Sequence, residues 1–154
     1  MEIRDLLTSD SVIANLRVTS KKQALQELAG AVSRVTDLDE RAVFDVLMER
    51  EKLGTTGVGN GIAIPHGKLP GLDKLYGMFA RMEKPIDFQA IDEQPVDLIF
   101  LLLAPESAGG DHLKALARVS RLLRDRATCD KLRGTDNAEA LYAILSNSAD
   151  VQAA

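Results

Sequence analysis

The pattern of apolar and polar positions predicts two helices in the first third of the chain. Ser20 and Gln23 have the spacing of a capping box, and one apolar face follows at helical intervals. The members of this face are Ala24, Leu25, Leu28, Ala29, Val32 and Val35. A second helix is predicted from about Asp37 to Gly54, a glycine suited to a left-handed helix end.

The last third of the chain is also predicted to be helical. Helices are expected over residues 111–124 and, in shorter pieces, near 127–134 and 136–146. The apolar side of the first of these is predicted to consist of Leu113, Leu116, Val119 and Leu123. Residues 148–154 have the character of a flexible tail, so a single folded domain is expected over residues 1–147.

Between these helices the pattern predicts strands. A short strand covers Ile62 to Ile64, longer strands cover residues 75–82 and 96–103, and Val12 to Leu16 adds an early strand. Residues 96–103 are almost continuously apolar, which is typical of a central strand covered on both faces. Helices before and after a strand-rich middle predict an α/β sandwich with a mixed sheet.

Composition and charge narrow the class of protein. The chain has 154 residues, of which 45% are hydrophobic and 27% charged, and its net charge of −4 provides no basic face for nucleic acid. Its single cysteine, Cys129, predicts a reducing compartment. The first residues lack the pattern of a signal peptide, and the longest apolar run, Leu98 to Ala104, is too short to cross a bilayer. We therefore expect a cytoplasmic protein without membrane insertion.

The first candidate for chemistry is His66, which follows a glycine-rich stretch and Pro65. Residues 54–61 contain four glycines, and residues 53–72 contain no Asp or Glu. Glycines let backbone amides approach a ligand closely. A surround without acids suits a group that carries a charge of about −1.5 to −2, as a phosphoryl group does. The alternative interpretation is a histidine in a surface turn with no function.

Two further residues point to the same chemistry. His112 follows two glycines and Asp111 at a predicted helix start, where unpaired amides and the positive dipole end favour an anion. Arg50 lies on the same helical side as Val43 and Leu47, and a guanidinium that faces the core needs an anionic or carbonyl partner. The alternatives are that His112 only packs at a helix start and that Arg50 caps its helix or reaches solvent.

Other kinds of site lack the residues that they need. The sequence contains neither a Gly-Lys-Ser/Thr phosphate loop nor a Gly-x-Ser-x-Gly elbow, which argues against nucleotide hydrolysis and serine-hydrolase chemistry. Two histidines 46 residues apart and one distant cysteine form a poor set of metal ligands. We therefore predict no metal site and no cofactor.

Three separate segments resemble one known family. Residues 54–68, which read GTTGVGNGIAIPHGK, closely resemble the phosphorylation-site segment of enzyme IIA proteins of the bacterial phosphotransferase system. The likeness is to the fructose–mannitol superfamily and especially to its nitrogen-regulatory branch. Residues 109–125 resemble the second histidine segment of that branch, and residues 6–25 resemble its opening. The resemblance extends over nearly the whole chain, to about residue 146.

This resemblance implies a fold and a role for each candidate residue. The implied fold is a three-layer α/β/α sandwich with a mixed β-sheet. His66 matches the histidine that accepts the phosphoryl group, on Nε2, while His112 and Arg50 match the neighbouring histidine and arginine of the active site. The residues further expected to bind the phosphoryl group are Gly67, Thr55 and Thr56.

The resemblance also implies partners. The expected donor is a phosphorylated HPr-like carrier of the nitrogen branch, and the expected targets are regulated proteins such as potassium transport systems or sensor kinases. The chain carries no attached IIB or transporter domain, which favours regulation over sugar uptake. Two alternatives remain open: a sugar-specific IIA component that passes the phosphoryl group to a separate IIB protein, and a module that binds an anion without covalent chemistry.

Overall fold

The computed structural model describes residues 2–153, with the side chains of residues 2–147. The side chains of the predicted tail, residues 148–154, lie outside the described residues, so the tail stays a prediction. The helices are α1 (Ile3–Leu6), α2 (Lys21–Val35), α3 (Glu40–Lys52), α4 (Gly110–Arg124), α5 (Arg126–Arg133) and α6 (Ala138–Ala153). The strands are β1 (Val12–Leu16), β2 (Gly57–Gly59), β3 (Ile62–Ala63), β4 (His66–Leu69), β5 (Tyr76–Ile86) and β6 (Val96–Pro105).

The described strands form one mixed sheet with the order β1-β5-β6-β3-β2. Strand β1 runs parallel to β5, which runs antiparallel to β6. Both β3 and β4 pair in parallel with the remaining edge of β6, β3 beside Leu98 and Ile99 and β4 from Leu102 onward. This arrangement places His66, the first residue of β4, directly beside Leu102 of the central strand.

The sheet lies between two helical layers. Successive side chains of a strand face opposite sides, so β6 contacts both layers. The β6 side chains that face α2 and α3 include Ile99, Leu101 and Leu103. The β6 side chains that face α1, α4, α5 and α6 include Leu98, Phe100 and Leu102. All of these side chains are fully buried, so β6 is covered on both faces. The structure thus confirms the three-layer α/β/α sandwich and the central strand.

The helix starts were predicted with mixed success. The Ser20 hydroxyl accepts a hydrogen bond from the Gln23 amide at 3.1 Å, as the capping box predicts, but the Gln23 side chain accepts from the amide of Thr19. The prediction that the second helix begins near Asp37 was wrong. Asp37 has a φ of +45°, which belongs to the turn between the helices, and Asp39 caps α3 by accepting from the Ala42 amide at 2.9 Å.

The predicted apolar side of α4 was wrong at one end. Leu113 is 70% exposed, whereas His112, Ala115 and Val119 are buried. The helix is rotated so that the face through residues 112, 115, 119 and 122 rests on the sheet. The rotation turns His112 inward and leaves Leu113 on the surface.

The short strands around the glycine-rich stretch were incompletely predicted. The sequence pattern missed β2 and β4, and His66 begins β4 rather than following the end of a strand. These strands contain two to four residues each, too few to show a period. Helix α1 was also missed, and β5 extends to Ile86, beyond the predicted 75–82. Within residues 2–153, none of the helices is both long and apolar enough to span a membrane.

Candidate functional site

The predicted residues Arg50, His66 and His112 lie close together, where the end of α3 meets the starts of β4 and α4. Arg50 lies in the last turn of α3, His66 begins β4 beside the centre of the sheet, and His112 lies in the first turn of α4. The Nε atom of Arg50 is 3.2 Å from Nε2 of His66, and the two imidazole rings are 5.6 Å apart between centroids, at 71°. The structure therefore forms one cluster from residues that are far apart in sequence.

The hydrogen bonds of His66 determine where its proton lies. Nδ1 is 2.9 Å from the carbonyl oxygen of Ile64, which only accepts, so Nδ1 must carry the proton. Nε2 receives the Nε–H of Arg50, which only donates, so Nε2 must carry a lone pair. Both contacts are satisfied together by the neutral ring alone. The nucleophilic nitrogen of this imidazole is therefore Nε2.

The surroundings of His66 favour this neutral form. Burial lowers the pKa of His66 below its ordinary value of 6.5, and the Arg50 charge lowers it further. The hydrogen bond to the Ile64 carbonyl and the charge of Glu51 act in the opposite direction but do not reverse the shift. Most His66 rings are therefore neutral at pH 7, with the proton on Nδ1 and the lone pair on Nε2 available.

The ring of His112 packs against that of His66 in an edge-to-face arrangement. The side chain is only 8% exposed, and its Nε2 atom is buried without a hydrogen-bond partner among the described residues. Burial lowers the pKa of His112, and the nearby His66 and Lys68 lower it further. A buried polar nitrogen without a partner is costly, and such a group is commonly explained by a ligand or a water that completes its hydrogen bonding.

Arg50 both contacts the candidate nucleophile and caps the end of its own helix. Its Nη1 donates to the carbonyl oxygen of Gly54 at 2.9 Å, just beyond the end of α3, while its Nε donates to His66. The side chain is half-buried, so its charge is partly shielded from water. The guanidinium is thus held at two points with its Nε beside the nucleophilic nitrogen.

Gly67 explains how α3 approaches β4 so closely. A Cβ atom at this position would lie 2.3 Å from Cγ1 of Val46, inside any permitted contact distance. Because Val46 and Arg50 are one turn apart on α3, the absence of a side chain at Gly67 sets the depth of Arg50 as well. The predicted contact of Gly67 with a phosphoryl group stays a prediction.

We expect that Gly67→Ala lowers the free energy of unfolding by about 1–3 kcal/mol, because Val46 and α3 must move to admit the methyl group. Urea unfolding measures the change. Gly134→Ala is the matched control, since a Cβ there meets only ordinary contacts, the nearest at 3.5 Å. Equal stability of the two variants would contradict the tight approach of α3 to β4.

The hydroxyls of Thr55 and Thr56, two residues predicted to bind the phosphoryl group, form hydrogen bonds within the protein. Thr56 is 3% exposed, and its hydroxyl and amide both donate to the carboxylate of Glu51, at 2.5 and 3.0 Å. The Thr55 hydroxyl donates to the Phe88 carbonyl oxygen and accepts from the Gly57 amide. Both hydroxyls are therefore engaged by protein groups, and the predicted contact of Thr55 and Thr56 with a phosphoryl group stays a prediction.

Sequence reasoning missed two charged residues beside the site, Glu51 and Lys21. The stretch around His66 contains no acid, but folding brings the carboxylate of Glu51 to Thr56, where it also pairs with Lys21 Nζ at 2.9 Å. A signal was present: Glu51 is four residues after Leu47 and eight after Val43, on the buried side of α3. A carboxylate at that position, near the negative end of a helix, needs a cation.

Comparison with known proteins gives one consistent result. Residues 5–148 match the family described as phosphoenolpyruvate-dependent sugar phosphotransferase system, EIIA 2. The nitrogen regulatory protein of Bradyrhizobium diazoefficiens is 60% identical over 146 residues, which cover 95% of each chain. The nitrogen regulatory protein of Escherichia coli is 38% identical over 149 residues, 96% of this chain and 91% of that protein.

Solved structures agree with this result. The crystal structure of nitrogen regulatory protein IIA-Ntr from Neisseria meningitidis superposes with a TM-score of 0.87 at 38% identity, over 93% of this chain and 98% of that one. IIA mannitol from Escherichia coli has a TM-score of 0.76 at 19% identity, over 90% and 98% of the two chains, and shares the fold.

Proposed function

The chain belongs to the EIIA 2 family of the phosphoenolpyruvate-dependent sugar phosphotransferase system, and from this premise we propose that it is a phosphoryl carrier that accepts its group on His66. The observation that carries the proposal is the state of the His66 ring. Its Nδ1 proton is held by Ile64, and its Nε2 lone pair lies 3.2 Å from the guanidinium of Arg50. A lone pair beside a cation suits attack on an anionic phosphoryl group.

In the proposed step, the Nε2 lone pair of His66 forms a bond to phosphorus while the bond between phosphorus and the donor breaks. The Nδ1 proton remains on the contact with Ile64, where the carbonyl oxygen stabilises positive charge that develops on the ring. Arg50 Nε, freed from the lone pair, turns to a phosphoryl oxygen and stabilises its negative charge. His112 supports the same charge with its unpartnered Nε2, which donates when that nitrogen carries the proton.

The proposed donor is a phosphorylated HPr-like protein of the nitrogen branch. Two exposed leucines adjoin the site residues along the chain: Leu53, which caps the C-terminus of α3 three residues after Arg50, is 84% exposed, and Leu113, beside His112, is 70% exposed. Docking of the donor over these two side chains would remove their apolar surface from water. We propose that the phosphorylation state then controls regulated proteins, such as potassium transport systems or sensor kinases, and that the protein acts in the cytoplasm, where its free Cys129 stays reduced.

The proposal is tested by incubating the chain with the phosphorylated HPr-like carrier and mapping the modified residue by mass spectrometry. We expect one phosphoryl group on His66, labile in acid and stable in base. Reversible anion binding without a gain in covalent mass would replace the proposal with the anion-binding module. Onward transfer to a separate IIB protein, in place of effects on regulated proteins, would favour the sugar-specific alternative.

The pKa of His66 provides an independent prediction. Because burial and Arg50 lower this pKa, the ring should titrate below about 6.5, and acceptance should persist as the pH falls through that value. At still lower pH the ring gains a proton on Nε2 and acceptance should be lost. An NMR titration of the imidazole measures the pKa, and the urea-unfolded chain provides the reference. A value in the folded chain above that of the unfolded chain would contradict the prediction.

A further inference from the structure

The carboxylate of Glu51 is buried directly behind the site. Its side chain is 4% exposed and receives three hydrogen bonds or ion-pair contacts. Oε1 accepts from the Thr56 amide at 3.0 Å and lies 2.9 Å from Lys21 Nζ, and Oε2 accepts from the Thr56 hydroxyl at 2.5 Å. Both oxygens are therefore occupied, and one carboxylate joins α2, α3 and the segment that leads to His66.

From Thr56 a short chain of hydrogen bonds reaches His66. The carbonyl oxygen of Thr56 accepts from the Ile64 amide at 3.0 Å, and the carbonyl oxygen of Ile64 accepts from Nδ1 of His66 at 2.9 Å. The position of Thr56 thus sets the position of Ile64, and the Ile64 carbonyl decides which nitrogen of the imidazole carries the proton.

The same segment also holds Arg50. Its Nη1 donates to the carbonyl oxygen of Gly54, two residues before Thr56. Gly54 has a φ of +146°, and its amide donates to the Glu51 carbonyl oxygen at 3.2 Å, so the segment is attached to the end of α3 at Gly54 and to the Glu51 side chain at Thr56. The anchor of this segment at Thr56 therefore acts on the arginine as well as on the histidine.

Lys21 pairs with the buried carboxylate of Glu51 and so lowers the cost of a negative charge close to the site. A negative charge near the incoming phosphoryl group would repel it, and the C-terminal end of α3 adds further negative potential. Lys21 is 15% exposed and lies against Glu51 on one side and 4.8 Å from the centre of the Phe88 ring on the other. The ion pair leaves the clamp on Thr56 in place while the charge of Lys21 offsets part of the charge of Glu51.

We propose that Glu51 is a positioning residue for phosphoryl acceptance: paired with Lys21, it clamps Thr56 and so holds the Nδ1–H form of His66 and the guanidinium of Arg50 in place for attack. The effect on transfer rests on the proposed function of His66. The effect on the tautomer does not, because it concerns the unphosphorylated chain alone.

The main test replaces the ion pair with apolar residues. The double variant Lys21→Met/Glu51→Leu removes the clamp without leaving a buried charge unpaired. The matched control is Glu49→Leu/Lys52→Met, which removes the neighbouring exposed pair of the same helix, joined at 2.8 Å. Nitrogen-15 NMR of His66 in the unphosphorylated chain reports the tautomer, and rapid-quench measurement with the phosphorylated carrier reports the transfer rate.

In wild type and control we expect the proton of His66 on Nδ1. In the double variant we expect a mixture of the two neutral tautomers and transfer slowed by about 10- to 100-fold, as displaced catalytic groups produce. A wild-type tautomer or a wild-type rate in the folded double variant would overturn the proposal, because a residue needed only for stability leaves both unchanged. The same holds if wild type itself carries the proton on Nε2.

If the double variant does not fold, two smaller substitutions at Thr56 test the proposed role of Glu51. Thr56→Val removes the hydroxyl that binds Oε2 of Glu51, and Thr56→Ser keeps it. We expect the valine variant to shift the tautomer and slow transfer, and the serine variant to restore both; identical behaviour of the two would overturn the proposal. If wild type accepts no phosphoryl group at all, the proposed function fails, and the tautomer of the valine variant still tests the clamp.

Discussion

Replacing His66 by alanine is expected to abolish phosphoryl acceptance. The variant lacks the proposed nucleophile, the Nε2 atom of His66 that accepts from Arg50, and the ring centre of the nearby His112 lies 5.6 Å from that of His66. Intact-protein mass spectrometry after incubation with the phosphorylated HPr-like carrier measures the result. Wild type should gain one phosphoryl group and His66→Ala none.

His112→Ala is the control for this result. It removes a ring of the same kind from the same cluster but leaves the proposed acceptor in place, so it should still be phosphorylated, only more slowly. Both variants should retain the wild-type circular dichroism spectrum. Covalent phosphate on another residue of His66→Ala, or complete loss of acceptance in His112→Ala, would contradict the assigned roles.

Removing Arg50 is expected to have the second largest effect. Arg50→Ala removes a charge-assisted hydrogen bond to the transferring group, which contributes about 1.5–3 kcal/mol. If this bond acts in the transition state, the rate falls by roughly 10- to 150-fold. Rapid-quench measurement of a single turnover gives the rate directly. The pKa of His66 should also rise in this variant, because the Arg50 charge lowers it in the wild type.

Arg41→Ala is the matched control for Arg50. Arg41 lies on the same helix, pairs with Asp45 at 3.1 Å, and has a side chain that is 80% exposed. A surface pair of this kind contributes little, so the control should transfer at the wild-type rate. Equal rates for Arg50→Ala and wild type, together with an unchanged pKa of His66, would reject the assigned role of the guanidinium.

These predictions depend on one electrostatic property of the site, a positive charge placed beside a neutral nucleophile. An acceptor of anionic groups needs positive charge at the attacked group but an unprotonated nucleophile. The protein meets both requirements by placing Arg50 against the Nε2 lone pair of His66 and by burying the ring, which lowers its pKa. The acid Glu51 lies behind Thr56 and is paired with Lys21, which reduces its repulsion of an approaching phosphoryl group.

Local signals account for what could be predicted about the site. The glycine-rich stretch, Pro65 and His66 are contiguous, and this segment, together with residues 6–25 and 109–125, indicated the family, which the comparisons confirm. Arg50 was identified because a charge on the apolar side of a helix violates the helical pattern. Glu51 violates the same pattern one residue later and was overlooked, although its burial follows from the same periodicity.

Other parts of the fold depended on contacts that no local pattern contains. The prediction of Leu113 as a core residue failed because the apolar residues of α4 allow two rotations, and packing on the sheet selects the one that buries His112. The short strands β2 and β4 were missed because their pairing partners, β3 and β6, define them. The hydrogen bonds of the Thr55 and Thr56 hydroxyls could not be predicted because Phe88 and Glu51, which engage them, come from other elements.

By itself, the sequence determined the α/β class, the central strand, the family and the three residues that meet at the site, since each is carried by a periodic pattern or a contiguous motif. The tertiary structure alone decided which nitrogen of His66 carries no proton and how closely α3, with Arg50, approaches β4. It also placed the carboxylate of Glu51 behind His66 and Arg50. The physical reason is that a proton's position and a buried charge depend on partners within about 3 Å, and folding supplies those partners from α2, α3, β4 and the segment before it.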